Sequence, residues 1–346
     1  MDMIKNKPFL TDEKVDDFTV EDFVFVHRNE ELLDEAYTAT SYAKDVWMHF
    51  KKNKGAVIGA IIIIAIILLA IIGPMISGYK ADAINLDVQS LPPRIQGIYK
   101  LGIFSGYEKG VDQYAAHGVS QAFYWFGTDT NGRDLFTRVW EGTRVSLIIA
   151  LSAVVIDIVI GMSYGLISGY FGGKVDMVMQ RFMEILNGIP TLVVVTLLGL
   201  VLPPGIISIV FALMITGWIG MARISRAEVL KLKESEFILA SRTLGAKNFS
   251  IIFKEVMPNI FGQLIVMSMF SIPNAIFTEA FLSFVGLGIQ APDASLGSLI
   301  SDGYKSLTGH PHIIMSAIIV LALLMLSFNL FADGIRDAFD PNQKQR

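Results

Sequence analysis

Ala56-Val57-Ile58-Gly59-Ala60-Ile61-Ile62-Ile63-Ile64-Ala65-Ile66-Ile67-Leu68-Leu69-Ala70-Ile71-Ile72-Gly73-Pro74-Met75-Ile76-Ser77 contains no charged side chain from end to end. A helix of about 20 such residues covers the hydrocarbon layer of a bilayer, so this run reads as a transmembrane span. Directly before it stand Trp47, His49, Phe50, Lys51, Lys52 and Lys54, an aromatic and basic anchor of the kind found at the cytoplasmic interface. The rest of the chain has the same character: of 346 residues, 53% are hydrophobic and 17% charged, and the mean hydropathy is +0.53. Soluble domains carry more charge and fewer apolar residues, and here the apolar residues are gathered into long runs. The sequence has no cysteine, which excludes disulfides, thiolate metal sites and cysteine nucleophiles. A net charge of -4 is small, and no basic footprint for nucleic acid accompanies it.

Residues 1–49 are acidic, with Asp12, Glu13, Asp16, Asp17, Glu21 and Asp22 set among Phe18, Phe23 and Phe25. No helical period runs through them, so they are expected to form a retained cytoplasmic tail, either flexible or a docking arm. Residues 50–78 hold the first span and its anchor. Residues 79–141 form a polar connection rich in Gly, Tyr and charge, expected to lie outside the cytoplasm. Residues 142–346 form the core, with further apolar runs at about 144–168, 181–202, 206–222, 260–283 and 312–332. The predicted fold class is all-α: a polytopic membrane protein of about six transmembrane helices. Arg223, Arg226, Lys231, Lys233, Arg242, Lys247 and Lys254 crowd the connection between the fourth and fifth runs, whereas Pro203-Pro204-Gly205 carries no charge. This asymmetry assigns residues 223–258, and with them both termini, to the cytoplasm.

Gly161, Gly165 and Gly169 recur every four residues in the second run. On a helix they form one stripe against which another helix can pack closely, and three helix-weakening residues in register point to packing. Residues 226–258 are too polar to span a membrane and too apolar for a simple linker, which predicts short amphipathic helices. Gly245 is placed to end one of them in the left-handed conformation, Asn248 or Ser250 to cap the next, and Pro258 to separate the loop from the fifth span. Such a helix-turn-helix is equally compatible with a structural role and with docking to a second protein.

The loop resembles the cytoplasmic loop of ATP-binding-cassette importer permeases, in which a Glu-Ala-Ala triplet is followed at fixed spacing by Gly and then Leu-Pro. Here the triplet position reads Leu239-Ala240-Ser241, the glycine is Gly245, and the closing pair is Met257-Pro258; the leading Glu and closing Leu are replaced. Three further blocks resemble the oligopeptide and dipeptide branch: Trp47 to Gly59; Phe126-Gly127-Thr128-Asp129 through Gly132-Arg133-Asp134 with Arg138; and Phe281 to Pro292. The resemblance covers nearly all of residues 45–340, is specific to the C-type permease subunit of that branch, and implies the type I importer permease fold in a bacterial cytoplasmic membrane.

It also implies partners: a second homologous permease, two ATP-binding subunits that hold ATP and Mg, and an extracytoplasmic binding protein that delivers peptide. Leu239, Ala240, Ser241, Gly245, Ala246, Met257 and Pro258 would couple this chain to the ATPases, with Gly245 as a hinge, and nucleotide and substrate would favour different conformations. Intramembrane polar residues usually face protein or a water-filled cavity. Asp157, Asn187, Glu279 and Asn329 are therefore candidates for the translocation path, whereas Glu184 can pair with Arg181.

Three other patterns are weaker. Gly172-Gly173-Lys174-Val175 lacks the upstream Gly and the hydroxyl residue of a nucleotide loop, so this chain is expected to bind no ATP or other cofactor of its own. Gly161-Met162-Ser163-Tyr164-Gly165 spells a hydrolase elbow but lies in an apolar helix and not at a strand-to-helix turn. His310-Pro311-His312 has no third metal ligand near it in sequence and reads as a helix start. No catalytic residue and no metal site are expected. A permease of the same branch for dipeptides, a nickel chelate or glutathione is the alternative; a stand-alone secondary transporter would need an inverted repeat, and none is visible.

Overall fold

The computed structural model describes residues 42–203 and 205–339, so the acidic tail up to residue 41 lies outside the described residues. Helix α1 (Tyr42–Lys52) leads to α2 (Lys54–Ser77), whose N-terminus is capped by the Asn53 side chain accepting from the Ala56 N–H. The same side chain donates to Asp337 at 3.0 Å. Helix α2 is apolar on every side and contains Pro74. Proline has no N–H, which leaves the carbonyl four residues back, on Ala70, without its helical partner. Arg144 supplies the missing donors from the next span, Nη2 at 2.8 Å and Nε at 3.3 Å.

A compact cap of residues 79–134 follows. Its short antiparallel pair, β1 (Tyr107–Glu108) and β2 (Val111–Asp112), leads into one helical turn, α3 (Gln113–Ala116), over a small core of Val88, Leu91, Tyr114 and Tyr124. Burial pushes the Tyr124 phenol up to about 12 and raises that of Tyr114 as well, so both rings stay neutral. Asp129 ties the cap together. One of its oxygens accepts from the backbone N–H groups of Asn131 and Arg133, and the other takes Arg133 Nε at 2.7 Å with Arg138 Nε at 3.6 Å. Arg138 then reaches the Ala81 carbonyl at 3.1 Å. The block around Phe126 to Arg138 is thus a fastener between the cap and the helix beneath it.

That helix, α4 (Leu135–Ile156), starts at its Asp134 cap, earlier than the hydropathy run at about 144. Its first turns are covered by the cap, so Thr137, Arg138 and Thr143 are buried in protein and need not face lipid. A π-helical turn at Asp157–Met162 joins α4 to α5 (Ser163–Phe171). Next come α6 (Gly173–Asn187) and α7 (Thr191–Gly199), bent by 72°. Sequence reading expects one straight span at 181–202; Pro190 instead forces the chain before it out of helical geometry and breaks the run. Helices α8 (Ile206–Thr216) and α9 (Ile219–Leu232) follow, then α10 (Glu236–Thr243) and α11 (Asn248–Ile251). A second π turn, Ile252–Val256, leads into α12 (Met257–Phe284), and α13 (Leu296–Lys305) and α14 (His312–Phe339) complete the described chain.

Among the described residues five helical stretches are long and apolar enough to cross a membrane, or six if the bent pair is one span. Helix α2 packs on α14 and α4, α12 on α4, α13 and α14, and α5 on α9. Ile66, Trp140, Ile149, Leu213, Ile276 and Leu324 belong to the central core.

Candidate functional site

The loop expected at 223–258 is narrower than its sequence reading. Helix α9 continues to Leu232, and the helix of the fifth span begins at Asn248, so only residues 233–247 stand outside long helices. Pro258 does not end the loop. It sits in the first turn of α12, directly after the π turn, and the Asn259 side chain beside it donates to the Glu255 carbonyl at 2.6 Å. The expected caps on Asn248 and Ser250 do not form either: Lys247 occupies the cap position without a side-chain bond, and Asn248 instead accepts from Tyr170 Oη at 3.3 Å.

Helix α10 ends as its glycine requires. Gly245 has φ +83°; its N–H donates to Arg242 O at 3.0 Å, and the Ala246 N–H donates to Ser241 O at 3.1 Å. These two bonds make a Schellman turn, in which a left-handed residue closes the last carbonyls of a helix. Ile238 fixes the helix from the other side: fully buried, it packs in a cluster with Leu166, Tyr170, Val229, Ile251 and Ile252. Tyr170 adds a polar link, with its ring 5.0 Å from the Arg242 guanidinium and Phe171 beside it meeting Phe249. The opposite face of the loop is open: Leu244 is 87% exposed, with Phe237 and Leu239 also exposed, and Phe249, just past the loop in α11, is 60% exposed. Ala240, Gly245 and Pro258 are exposed, while Ser241, Ala246 and Met257 are half-buried. The result is an apolar knuckle held rigidly to the end of α5.

The glycine stripe lies just behind it. A Cβ on Gly165 would stand 2.3 Å from the Ala222 carbonyl, one on Gly161 2.7 Å from the Trp218 carbonyl, and one on Gly169 2.9 Å from Val229 Cβ. Helices α5 and α9 are in backbone contact along this seam. Beside it lies a latch that sequence reading missed, because Arg226 was counted only as a loop charge. Arg226 binds Asp176 with two parallel bonds of 2.7 and 2.6 Å, and Ser168 and Gln180 close on the same carboxylate. An Asp and an Arg fifty residues apart carry no local signal of this pairing.

The four intramembrane polar candidates do not come together. Glu279 is fully buried, with its oxygens taking Ser146 Oγ and Ser283 Oγ at 2.8 Å each; in this conformation it opens onto no passage. Ser283 Oγ also accepts from the Ile289 N–H at 3.0 Å, so Glu279 pins the turn that follows α12. Asp157 is buried in the first π turn and borders a small cavity of about 50 Å³ with Ser271, Asn274 and Thr278, room for one or two water molecules. Asn187, at the 72° break, and Asn329, on α14, are exposed on the surface of the chain. Arg181 and Glu184 pair at 2.6 Å. Ser163 lies in a helix, without the strand-to-helix turn of a hydrolase elbow. His312 starts α14; Glu108 comes within 3.7 Å of His310, yet among the described residues no group of three potential ligands could hold a metal ion.

Residues 161–345 match the family described as binding-protein-dependent transport system inner membrane component, and residues 41–93 match the N-terminal TM domain of oligopeptide transport permease C. The chain is 40% identical over 346 residues to the dipeptide transport system permease protein DppC of Bacillus subtilis (strain 168), covering 98% of this chain and 100% of that one. It is 42% identical over 302 residues to the oligopeptide transport system permease protein OppC of the same organism, covering 87% and 90%. With the dipeptide permease DppC of Lactococcus lactis subsp. cremoris (strain MG1363) the identity is 45% over 320 residues, covering 90% and 93%. A polytopic helical bundle that matches along nearly its whole length belongs, on these grounds, to the binding-protein-dependent inner-membrane permeases of ATP-binding-cassette importers.

Proposed function

We propose that the chain imports peptides as one of two membrane subunits of an ATP-driven transporter, and that its knuckle at residues 233–247 is the seat of the ATPase. The observation that carries this reading is the exposed apolar face of Phe237, Leu239 and Leu244 on α10 and its C-cap, locked by a Schellman turn and by Ile238, with Phe249 of α11 also exposed. A face this apolar is costly in water and gains by being covered, while its rigid base would pass a push from below into α5 and α9. Peptide as cargo rests on the relatives named for dipeptide and oligopeptide transport. ATP and Mg would sit in the ATPases, and an extracytoplasmic binding protein would deliver the cargo to the side carrying residues 79–134. Both termini and the knuckle would face the cytoplasm, a reading supported by the basic residues between 223 and 254. Asp157, Asn187 and Asn329 stay the path candidates, whereas Glu279 fits a fastening role.

The chain has no cysteine, so a thiol introduced into it is the single one on this subunit. In the assembled transporter Ala246→Cys should cross-link to an ATPase subunit and be shielded from reagent once nucleotide is bound. Labelling of that thiol only from the exterior of intact cells would exclude the arrangement.

A further inference from the structure

We infer that the groove between α2 and α4 is a binding site for an anionic phospholipid, with Arg144 holding the phosphate. The groove has a volume of about 360 Å³ and is walled by Ile67, Ile71, Leu147, Ile148, Leu151 and Phe328, with Arg144 at its rim. Two of the five N–H donors of the guanidinium are spent on the Ala70 carbonyl that Pro74 leaves open; the others have no bond to the described residues. Among the described residues no carboxylate lies within ion-pair distance of Arg144, and Glu141, one turn along the same helix, acts on it only at longer range. The cation is therefore fixed in orientation by the backbone of α2 and not neutralised by a partner.

Its depth fits a headgroup. Arg144 is the last charge before the uncharged stretch Val145–Ile156, and its anchor Ala70 lies seven residues before the end of the apolar run on α2, so it stands in the outer part of the span, toward the end of the bundle that carries the cap. From there Leu147, Ile148 and Leu151 run one to two turns toward the bilayer centre on α4, and Ile67 does so on α2. Ile71, Ile148 and Leu151 are all more than two-fifths exposed. A phosphate on the free guanidinium edge would make the paired, charge-assisted bonds that arginine forms with phosphate, and one acyl chain of the same molecule would follow the apolar wall. A free phosphate satisfies only the first half of this site; phosphatidylcholine carries a phosphate as well, but its own choline cation competes with the guanidinium for it, whereas an anionic headgroup leaves the phosphate charge to Arg144.

The test uses the assembled transporter in nanodiscs of phosphatidylcholine doped with phosphatidylglycerol, with retained lipids counted by native mass spectrometry. The wild type should keep phosphatidylglycerol in preference to phosphatidylcholine. Arg144→Gln should weaken that retention roughly tenfold, the scale of a lost charged hydrogen bond, and erase the preference, while Arg144→Lys retains part of it. Leu151→Trp, which fills the groove and leaves the cation in place, should release both lipids. Should Arg144→Gln fail to assemble, the wild-type preference and the Leu151→Trp release decide. Equal retention of the two lipids by the wild type, or undiminished preference in Leu151→Trp, would overturn the site. So would photo-cross-linking to the second permease from a benzophenone maleimide attached to Ile148→Cys, which would show protein and not lipid in the groove. None of these readouts depends on peptide uptake.

Discussion

Glu279 offers the sharpest test of how the bundle is fastened. Its carboxylate takes hydroxyl donors from α4 and from its own helix, each at 2.8 Å, in a place with no solvent access. Glu279→Ala removes both acceptors and leaves a hole the size of the lost side chain. A buried hydroxyl without an acceptor costs about 1–3 kcal/mol, but Ser146 and Ser283 can each turn back to a carbonyl of their own helix, which offsets part of that. With the cavity included, the loss should be about 2–4 kcal/mol. Glu279→Gln should cost far less, because its carbonyl can still accept from Ser283 while its amide donates to the free lone pair of Ser146. The assay is the thermal midpoint of the purified transporter, with limited proteolysis of residues 285–295 as the local reporter, since Ser283 also holds the Ile289 N–H. Equal behaviour of the Ala and Gln variants in both readouts would refute the fastening role.

Other variants separate packing from coupling. Gly165→Leu should break the α5–α9 seam and abolish assembly, since even a Cβ there would meet the Ala222 carbonyl at 2.3 Å; stable, normally expressed transporter would contradict the contact. Gly245→Ala meets no atom within 4 Å and should cost only about 1–2 kcal/mol of left-handed strain, read as faster hydrogen exchange confined to residues 240–247. Tyr170→Ala should raise ATP hydrolysis without transport, because it cuts the link from Arg242 and Asn248 to the end of α5; a parallel fall in both rates would instead indicate lost folding. Asp176→Asn should loosen α6 from α9 by removing the twin bonds to Arg226, measured as a lower thermal midpoint that Arg226→Ala does not lower further.

Hydropathy made the spans legible because the bilayer imposes one length on every crossing, and the basic residues between 223 and 254 made the knuckle legible because charge marks what stays in water. Gly245 was readable for a local reason: a left-handed turn at a helix end has its own residue preference. Pro190 broke a run for a local reason that hydropathy does not weigh; at the remaining boundaries and pairings the controlling contacts are distant in sequence. Leu135 starts a helix that composition begins nearer residue 144, since the cap hides Thr137 and Arg138 from lipid. Leu232 ends a helix that charge alone would have ended ten residues sooner. Asp176 with Arg226, and Glu279 with Ser146, pair across distances in sequence at which no local pattern survives.

Pro74 and Arg144 fasten the first two spans at one point. If α2 slid along α4 by a single turn, the Ala70 carbonyl would be stranded in hydrocarbon and the guanidinium would lose its anchor. Sliding α2 along α4 therefore costs at least that charged hydrogen bond, about 1.5–3 kcal/mol. The break between α6 and α7, bent by 72°, lies outside that fastening.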